Sequence, residues 1–249
     1  MNTKIKIFGE RNTGTNYLVK LIKLNFKSSI INGTVPKDID RVIRKLPYSE
    51  DIRDIYFQFT YHHNLGWKHK EINSLDISKF KKENQRIKFV LLVKNPYSWL
   101  LSLYHRPYHN YSHEQLSFDK FLLKNWITLR RETDRVEYKN PIEMWNLKVA
   151  SYFLLQEKFD TYILKYEDML LNPIEELIKL QKMLNLKTSA DFPANFTKST
   201  KDIDKDNNYY VEYYGNEKWK EKLTMTHIKI INSELDTKLM SSLNYNFIR

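Results

Sequence analysis

Gly9 and Gly14 in the stretch "IFGERNTGTNYL" stand at the G-x-x-x-x-G spacing of a loop that wraps backbone N–H groups around a phosphate. In an ATP-dependent phosphotransferase this loop continues with Lys and then Ser or Thr, whereas Thr15 and Asn16 follow here. The side chains that would reach the β- and γ-phosphates and hold Mg2+ are therefore both replaced. The anion cradle itself is kept. A loop between a buried strand and a helix points N–H groups and the positive end of the helix dipole at one spot. Thr13, Thr15 and Asn16 add side-chain donors, and Arg11 adds a planar cationic fork. The chemistry on offer is capture of phosphate or sulfate without a metal. An ordinary βα turn would account for the same two glycines.

A second anion-binding feature lies in "LLVKNPYSWLLSLYH", Leu91 to His105. Lys94 ends an apolar run that reads as a central strand, and ligands of open α/β sheets bind outside the carboxyl ends of the strands. Ser98 and Ser102 fall one turn apart on the helix that follows. Two anion-binding features on one sheet edge suit a ligand phosphorylated at two places. The stretch "YHHNLGWKHKE" adds His62, His63 and His69, which titrate near neutrality. As zinc ligands they match no standard spacing, and no metal site is expected. Glu167 and Asp168 follow "TYILKY" at another strand end. They are expected to be structural hydrogen-bonders, although a metal-binding acid in an ATP- and Mg2+-dependent phosphotransferase would occupy such a place.

These residues need elements to position them. "KIKIFGE" reads as a short strand, with Ile5 and Ile7 alternating with Lys4 and Lys6, and Leu18, Leu21, Ile22 and Phe26 continue at helical spacing. Residues 28–56 carry no clear period. "YFQFTYHHNLGWKHKE" begins like a strand and ends as a polar loop. "KFVLLVKNP" reads as a strand buried on both faces, after which Asn95 caps and Pro96 starts a helix. Residues 112–158 read as mainly helical, "FDTYILKYED" as another buried strand. Asn172 and Pro173 open a helix whose apolar face is Ile174, Leu177, Ile178 and Leu184. Residues 187–218 read as a long Lys-rich loop, one that orders when a nucleotide binds, and "MTHIKIINSELDTKLMSSL" as the last helix. Strands alternating with helices predict an α/β fold, a single domain over residues 1–249 with a central parallel β-sheet flanked by helices.

The net charge of +11 favours anionic partners, and the absence of cysteine excludes disulfides, thiolate catalysis and Cys-type zinc sites. No apolar run approaches a membrane span and no signal peptide is evident, so a cytoplasmic protein is expected. A non-catalytic basic module for nucleic acid or acidic glycan would share this charge.

The motifs together resemble the sulfotransferases that use 3′-phosphoadenosine 5′-phosphosulfate (PAPS). Their 5′-phosphosulfate loop, K/R-S-G-T-T-x, is matched by Arg11-Asn12-Thr13-Gly14-Thr15-Asn16-Tyr17. Their 3′-phosphate motif, R-N-P-x-x-x-x-x-S, is matched by Lys94-Asn95-Pro96 through Ser102. "KYEDMLLNPIEELIKLQKML" and "GNEKWKEKLTMTHI" match two later elements in family order, and the bacterial-type branch is the nearest in flavour. The chain departs from the pattern at Asn12, which shifts the loop cation to Arg11, and at Lys94, which keeps the charge of Arg without its bidentate fork.

The resemblance implies a P-loop nucleotide-kinase-like sulfotransferase fold and in-line transfer of a sulfuryl group from PAPS to a hydroxyl, with a carbohydrate as the expected acceptor. It implies no metal and no nucleic-acid partner. Arg11 to Tyr17, Lys94 and Ser102 would hold the nucleotide phosphates, and Tyr17 and Tyr166 would flank the adenine, unless both simply pack in the core. Trp219 and Lys220, with Lys198 or Lys201, would close over the 3′-phosphate. His69 is expected as the base, with His62 and His63 as alternatives, and Lys68 and Arg11 beside the transferring group. His105, Arg106 and Tyr108, with His109, would line the acceptor cleft, and His62 and His63 would also contact the acceptor.

Overall fold

A computed structural model describes residues 3–83, 87–108, 116–197 and 205–249. In chain order the elements are β1 (Thr3–Gly9), α1 (Thr15–Asn25), β2 (Ser28–Ile31), α2 (Lys37–Ile43), α3 (Ser49–Phe59), α4 (Tyr61–Asn64), α5 (Ser74–Glu83), β3 (Ile87–Val93), α6 (Pro96–His105), α7 (Phe118–Leu123), β4 (Trp126–Ile127), β5 (Glu137–Tyr138), α8 (Pro141–Gln156), β6 (Thr161–Lys165), α9 (Tyr166–Leu171), α10 (Pro173–Met183), α11 (Asn207–Gly215), a 3-10 turn (Lys218–Lys222), α12 (Met225–Glu234) and α13 (Thr237–Ser242).

The main sheet runs β2-β1-β3-β6 with every pair parallel, as the alternation of strand and helix predicts. Its central strands β1 and β3 are buried on both faces, which is why "IKFVLLV" is a continuous apolar run. Phe8, Phe89, Leu91 and Val93 face Phe80, Trp99, Trp145 and Met240 of α5, α6, α8 and α13. Ile5, Ile7, Val90 and Leu92 face Leu18, Leu21 and Ile22 of α1 and Leu177 and Leu180 of α10. From β1 the chain goes through α1 to β2 on one side, then crosses to β3 on the other. The crevice outside the carboxyl ends of β1 and β3 is therefore a topological switch point, and the loops after Gly9 and Val93 both open there.

Several expectations change. Lys6 is not on a solvent face: it is fully buried, and its ammonium donates to the carbonyls of Asn64 and Gly66 (2.6 Å to Gly66). Burial, with Lys68 adding to it, holds its pKa well below the ordinary lysine value. The aromatic run "YFQFTYHH" is helical, in α3 and α4, rather than a strand. Phe57 turns into the core while Phe59 stays exposed, a one-sided helical pattern. Residues 126–138 include a short antiparallel β4–β5 pair inside the stretch read as helical. Asn95 and Asn140 cap α6 and α8 through their side chains, each with Pro at the first helical position. Asn172 has the same sequence signature and makes no side-chain cap, because it also ends α9 and its N–H donates to the Asp168 carbonyl at 2.8 Å. Ile174 is exposed. The expected last helix is two, broken at extended Leu235, with Asp236 capping α13. Among the described residues no helix is long and apolar enough to cross a membrane.

Candidate functional site

Two buried tryptophans fix the loops at the switch point. Trp99 Nε1 donates to the Arg11 carbonyl at 2.8 Å, and Trp145 Nε1 donates to the Lys94 carbonyl at 3.1 Å. The glycine loop then turns through two left-handed residues, Asn12 (φ 64) and Gly14 (φ 86), positions that Asn and Gly adopt at least cost. Gly14 precedes α1, so the first N–H groups of that helix face the crevice. A Cβ on Gly14 would lie 2.7 Å from two ring carbons of Tyr166. Gly14→Ala should therefore lose at least ~1 kcal/mol of stability, the cost of a left-handed non-glycine residue, and weaken nucleotide binding as Tyr166 is displaced. Urea unfolding together with calorimetry of the variant checks both effects.

Lys94 and Ser102 meet as the spacing predicts. Lys94 is 1 % exposed, and its Nζ donates to Ser102 Oγ at 2.9 Å, to the Tyr214 hydroxyl at 2.9 Å and to the Asn12 carbonyl at 3.4 Å. Asn12 Nδ2 in turn donates to the carbonyls of Ser102 (3.4 Å) and Arg106 (3.3 Å), which ties the glycine loop to α6. Burial pushes the Tyr214 hydroxyl up, but Lys94 and Ser102 outweigh it and the net direction is down. This ammonium thus strongly favours an oxygen anion beside it.

The partners of Lys94, namely Asn12, Ser102 and Tyr214, border a cavity of about 340 Å3. Asn12, Gly14, Tyr17, Ser102 and Tyr166 line it, as expected for a nucleotide site, and so do His105 and Arg106. Burial holds the Tyr17 hydroxyl up to about 12, so it is protonated when it donates to Asn195 Oδ1 at 2.7 Å. Sequence reasoning missed the opposite wall. Tyr209, Tyr210, Tyr213 and Tyr214 of α11 all line the cavity, as do Lys205 and Lys222. The signal was the i, i+1, i+4, i+5 spacing in "NNYYVEYYG", which puts all four rings on one side of a helix. This stretch was expected as part of a loop. Trp219 and Lys220 are not in the cavity. Trp219 is buried and stacks on Tyr97, and Lys220 pairs with Glu217. The 3-10 turn that holds them spends its indole on the core. Lys198 and Lys201 lie outside the described residues, as does His109.

The histidine loop is held along the end of β1: the Gly9 N–H donates to the Lys68 carbonyl, and the Lys68 N–H donates to the Gly33 carbonyl, both at 3.0 Å. Lys68 Nζ donates to Asn16 Oδ1 at 2.9 Å, so a cation from another segment reaches the start of α1. His69 is buried against the edge of Trp67, and its Nδ1 hydrogen-bonds the Gly9 carbonyl. A carbonyl only accepts, so Nδ1 carries the proton and Nε2 is the basic nitrogen of the neutral ring. Burial first, then Lys68 and Arg11, hold the ring well below the ordinary histidine pKa. His62 and His63 are exposed on α4 with their rings 3.9 Å apart, and line neither cavity described here.

Arg11 does not face the nucleotide cavity. Its guanidinium lies over the rings of Tyr108 (4.1 Å) and Trp67 (5.5 Å) and lines a second cavity of about 330 Å3. His105 and Arg106 are thereby separated from Tyr108, which belongs to this second cavity, and the single acceptor cleft expected from these three residues does not form. Behind Arg11 lies a buried cluster without a local sequence signal. Lys148 Nζ bridges the carboxylates of Glu10 and Glu132 and donates to the His69 carbonyl at 3.0 Å. The Tyr108 hydroxyl donates to Glu132 at 2.8 Å, and Glu10 accepts the Arg11 N–H. Burial raises the Glu10 carboxyl, with Glu132 adding and Lys148 opposing; Lys148 itself is held up by its two carboxylates against burial.

Glu167 is structural, as expected: its carboxylate accepts from the Asn95 N–H (3.0 Å) and the Tyr245 hydroxyl (2.9 Å). Asp168 pairs with Lys165. Both oxygens of Glu167 are thus engaged within the protein. Among the described residues no cluster of three or more His, Asp or Glu stands ready for a metal.

A family model described as a sulfotransferase domain matches residues 2–242. No curated protein sequence matches the chain. Among solved structures, a sulfotransferase domain from the curacin biosynthetic pathway is 12% identical with a TM-score of 0.51, over 100% of this chain and 99% of that one. A sulfotransferase from Alicyclobacillus acidocaldarius is 13% identical, TM-score 0.51, over 99% and 97%. Mouse sulfotransferase SULT7A1 complexed with PAP is 14% identical, TM-score 0.50, over 97% and 85%. At these identities the likeness is one of fold, and it agrees with the parallel α/β architecture.

Proposed function

The chain belongs to the sulfotransferase domain family, and from that premise we propose that it transfers a sulfuryl group from PAPS to an acceptor hydroxyl. The observation that carries this reading is the meeting of Lys94 with Ser102 at 2.9 Å beside the Gly14 loop. A cation and a hydroxyl bordering an aromatic cavity, together with the N-terminus of α1, suit a nucleotide with anionic groups at two places. The tyrosines of α11, with Tyr17 and Tyr166, offer flat faces for the base. Lys94 would donate to a phosphate oxygen in exchange for one of its three present acceptors.

When bound, the donor supplies an activated sulfuryl group whose S–O bond to phosphate breaks as a new S–O bond to the acceptor oxygen forms, leaving adenosine 3′,5′-bisphosphate. His69 takes the acceptor proton at Nε2, with Nδ1 anchored on Gly9. Lys68, at the start of α1, and the helix N–H groups stabilise negative charge on the cradle side. Arg11 faces the acceptor side, next to His69. We further propose a carbohydrate acceptor and a cytoplasmic location.

Calorimetry tests the donor site. Adenosine 3′,5′-bisphosphate should bind, and AMP, which lacks the 3′-phosphate, at least ten-fold more weakly. Lys94→Met should reduce that preference. Equal affinity for both nucleotides, or no binding, overturns the reading. The basic-module alternative predicts instead steeply salt-dependent binding with no such preference.

A further inference from the structure

The second cavity is lined by four arginines, and three of them are already engaged. Arg44 and Arg53 pair with Asp40 at 2.6 and 2.9 Å, Arg53 also pairs with Glu50, and Arg131 pairs with Glu50 and with Asp54. These carboxylates brace the wall formed by α2 and α3 against Arg131, and they consume its charge. Arg11 is different. Among the described residues no carboxylate, carbonyl or hydroxyl accepts from its guanidinium, which is held only by stacking over Tyr108 and Trp67. Its guanidinium, which carries five N–H donors, lines a cavity of about 330 Å3 and has no hydrogen-bond acceptor among the described residues.

A half-buried guanidinium stacked on two rings is a preformed receptor for a planar or tetrahedral oxyanion. Arg131, neutralised by Glu50 and Asp54, lies over the same Trp67 ring at 4.9 Å and holds it in place. The ring faces of Trp67 and Tyr108 beside the fork offer a flat apolar surface, the kind of surface that receives the C–H face of a sugar. Trp67, which lines the cavity, meets the buried His69 ring edge-on at 4.9 Å, so one side chain separates the cavity from that imidazole.

We infer that this cavity is the acceptor site and that the acceptor is an acidic sugar, its carboxylate or sulfate group bound by Arg11 while its reacting hydroxyl is presented to His69. The inference rests on the sulfotransferase reading for the identity of the reaction, and on Arg11, Trp67 and Tyr108 for the class of acceptor. It gives Arg11 a role other than the one expected from the glycine loop, namely recognition of the acceptor rather than of the donor phosphosulfate.

The test is a set of titrations of the full chain with three sugars matched in size: methyl β-glucuronide, glucose 6-sulfate and methyl β-glucoside. Each is run with and without saturating adenosine 3′,5′-bisphosphate. At least one acidic sugar should bind about ten-fold or more tightly than the glucoside, as befits a charge-assisted pair, and the two acids tell a carboxylate from a sulfate preference. Arg11→Gln should abolish the difference, and Arg11→Lys, which keeps charge without the fork, should restore only part of it. Failure of both acids to exceed the glucoside in the wild-type protein overturns the inference, whatever the variants do. An acid preference that survives in folded Arg11→Gln overturns the role of Arg11 and assigns the preference to the overall positive charge. Absence of bisphosphate binding would sink the donor reading alone, because the sugar comparison without nucleotide still decides the acceptor question.

Discussion

His69→Asn should lower kcat by roughly 10²- to 10⁴-fold, the contribution expected of a positioned general base, while leaving the affinity for adenosine 3′,5′-bisphosphate close to wild type. The substitution is chosen for its geometry. An Asn amide nitrogen falls near the place of Nδ1 and can still donate to the Gly9 carbonyl, so the bond that holds the loop is kept. What is deleted is Nε2. If His69 were only a strut, Asn would retain activity, and that outcome would remove it from the mechanism. The pH profile gives an independent reading. Because burial, Lys68 and Arg11 hold the folded-state ring well below 6.5, the acid limb of kcat/KM should lie below pH 6.5 rather than at it. Stability follows the same sign. The unfolded chain binds this proton more readily, so the stability from a neutral His69 is present above pH 6.5 and is lost as pH falls through the folded-state value.

Lys148→Met should destabilise the protein by about 3–5 kcal/mol, the cost of leaving buried charge without its partner. Lys148 and Glu132 are wholly buried and Glu10 almost so. Without the ammonium, two carboxylates share a dry site with neutral donors such as the Tyr108 hydroxyl and the Arg11 and Leu129 N–H groups but without their shared cation. At least one must then take a proton, and its folded-state pKa rises above the unfolded one. A raised carboxyl stabilises the fold below the unfolded value and loses that contribution as pH climbs. The deficit in the variant should therefore be smaller at pH 5 than at pH 7.5, which urea unfolding at the two values would measure. A pH-independent deficit would point to lost packing rather than to unpaired carboxylates.

The meeting of Lys94 with Ser102 beside the glycine loop was legible because these residues are local to strand ends. A run such as "FVLLV" has one reading as a doubly buried parallel strand, and Asn95-Pro96 fixes where its helix starts, so Lys94 and Ser102 had to face the same edge. The direction of Arg11 was not legible. Neighbours in a tight loop point to opposite sides, and only the positions of Trp67 and Tyr108 show which side takes the guanidinium. The Glu10–Lys148 pair joins residues 138 positions apart, and nothing in either local sequence announces the other. In α3 and α4 the aromatic run imitated a strand because Tyr and Phe favour both states. In α11 the Asn and Lys neighbours hid four tyrosines that a helical spacing would have gathered onto one side.

The division of labour between the two cavities has a consequence for how such an enzyme can be altered. The donor cavity draws on the glycine loop, α6, α9 and α11, packed around the sheet edge. The acceptor wall formed by α2 and α3 is an excursion of the chain between β2 and β3, and it contributes no strand to the main sheet. Its polar residues at 40, 44, 50 and 53 interlock chiefly with one another and with Arg131. On the proposed assignment of the two cavities, acceptor selectivity is an exchangeable cassette bolted to a fixed donor engine. Rewriting that excursion as a unit, with its acid and base partners changed together, is the route by which a new acceptor could be adopted without rebuilding the nucleotide site.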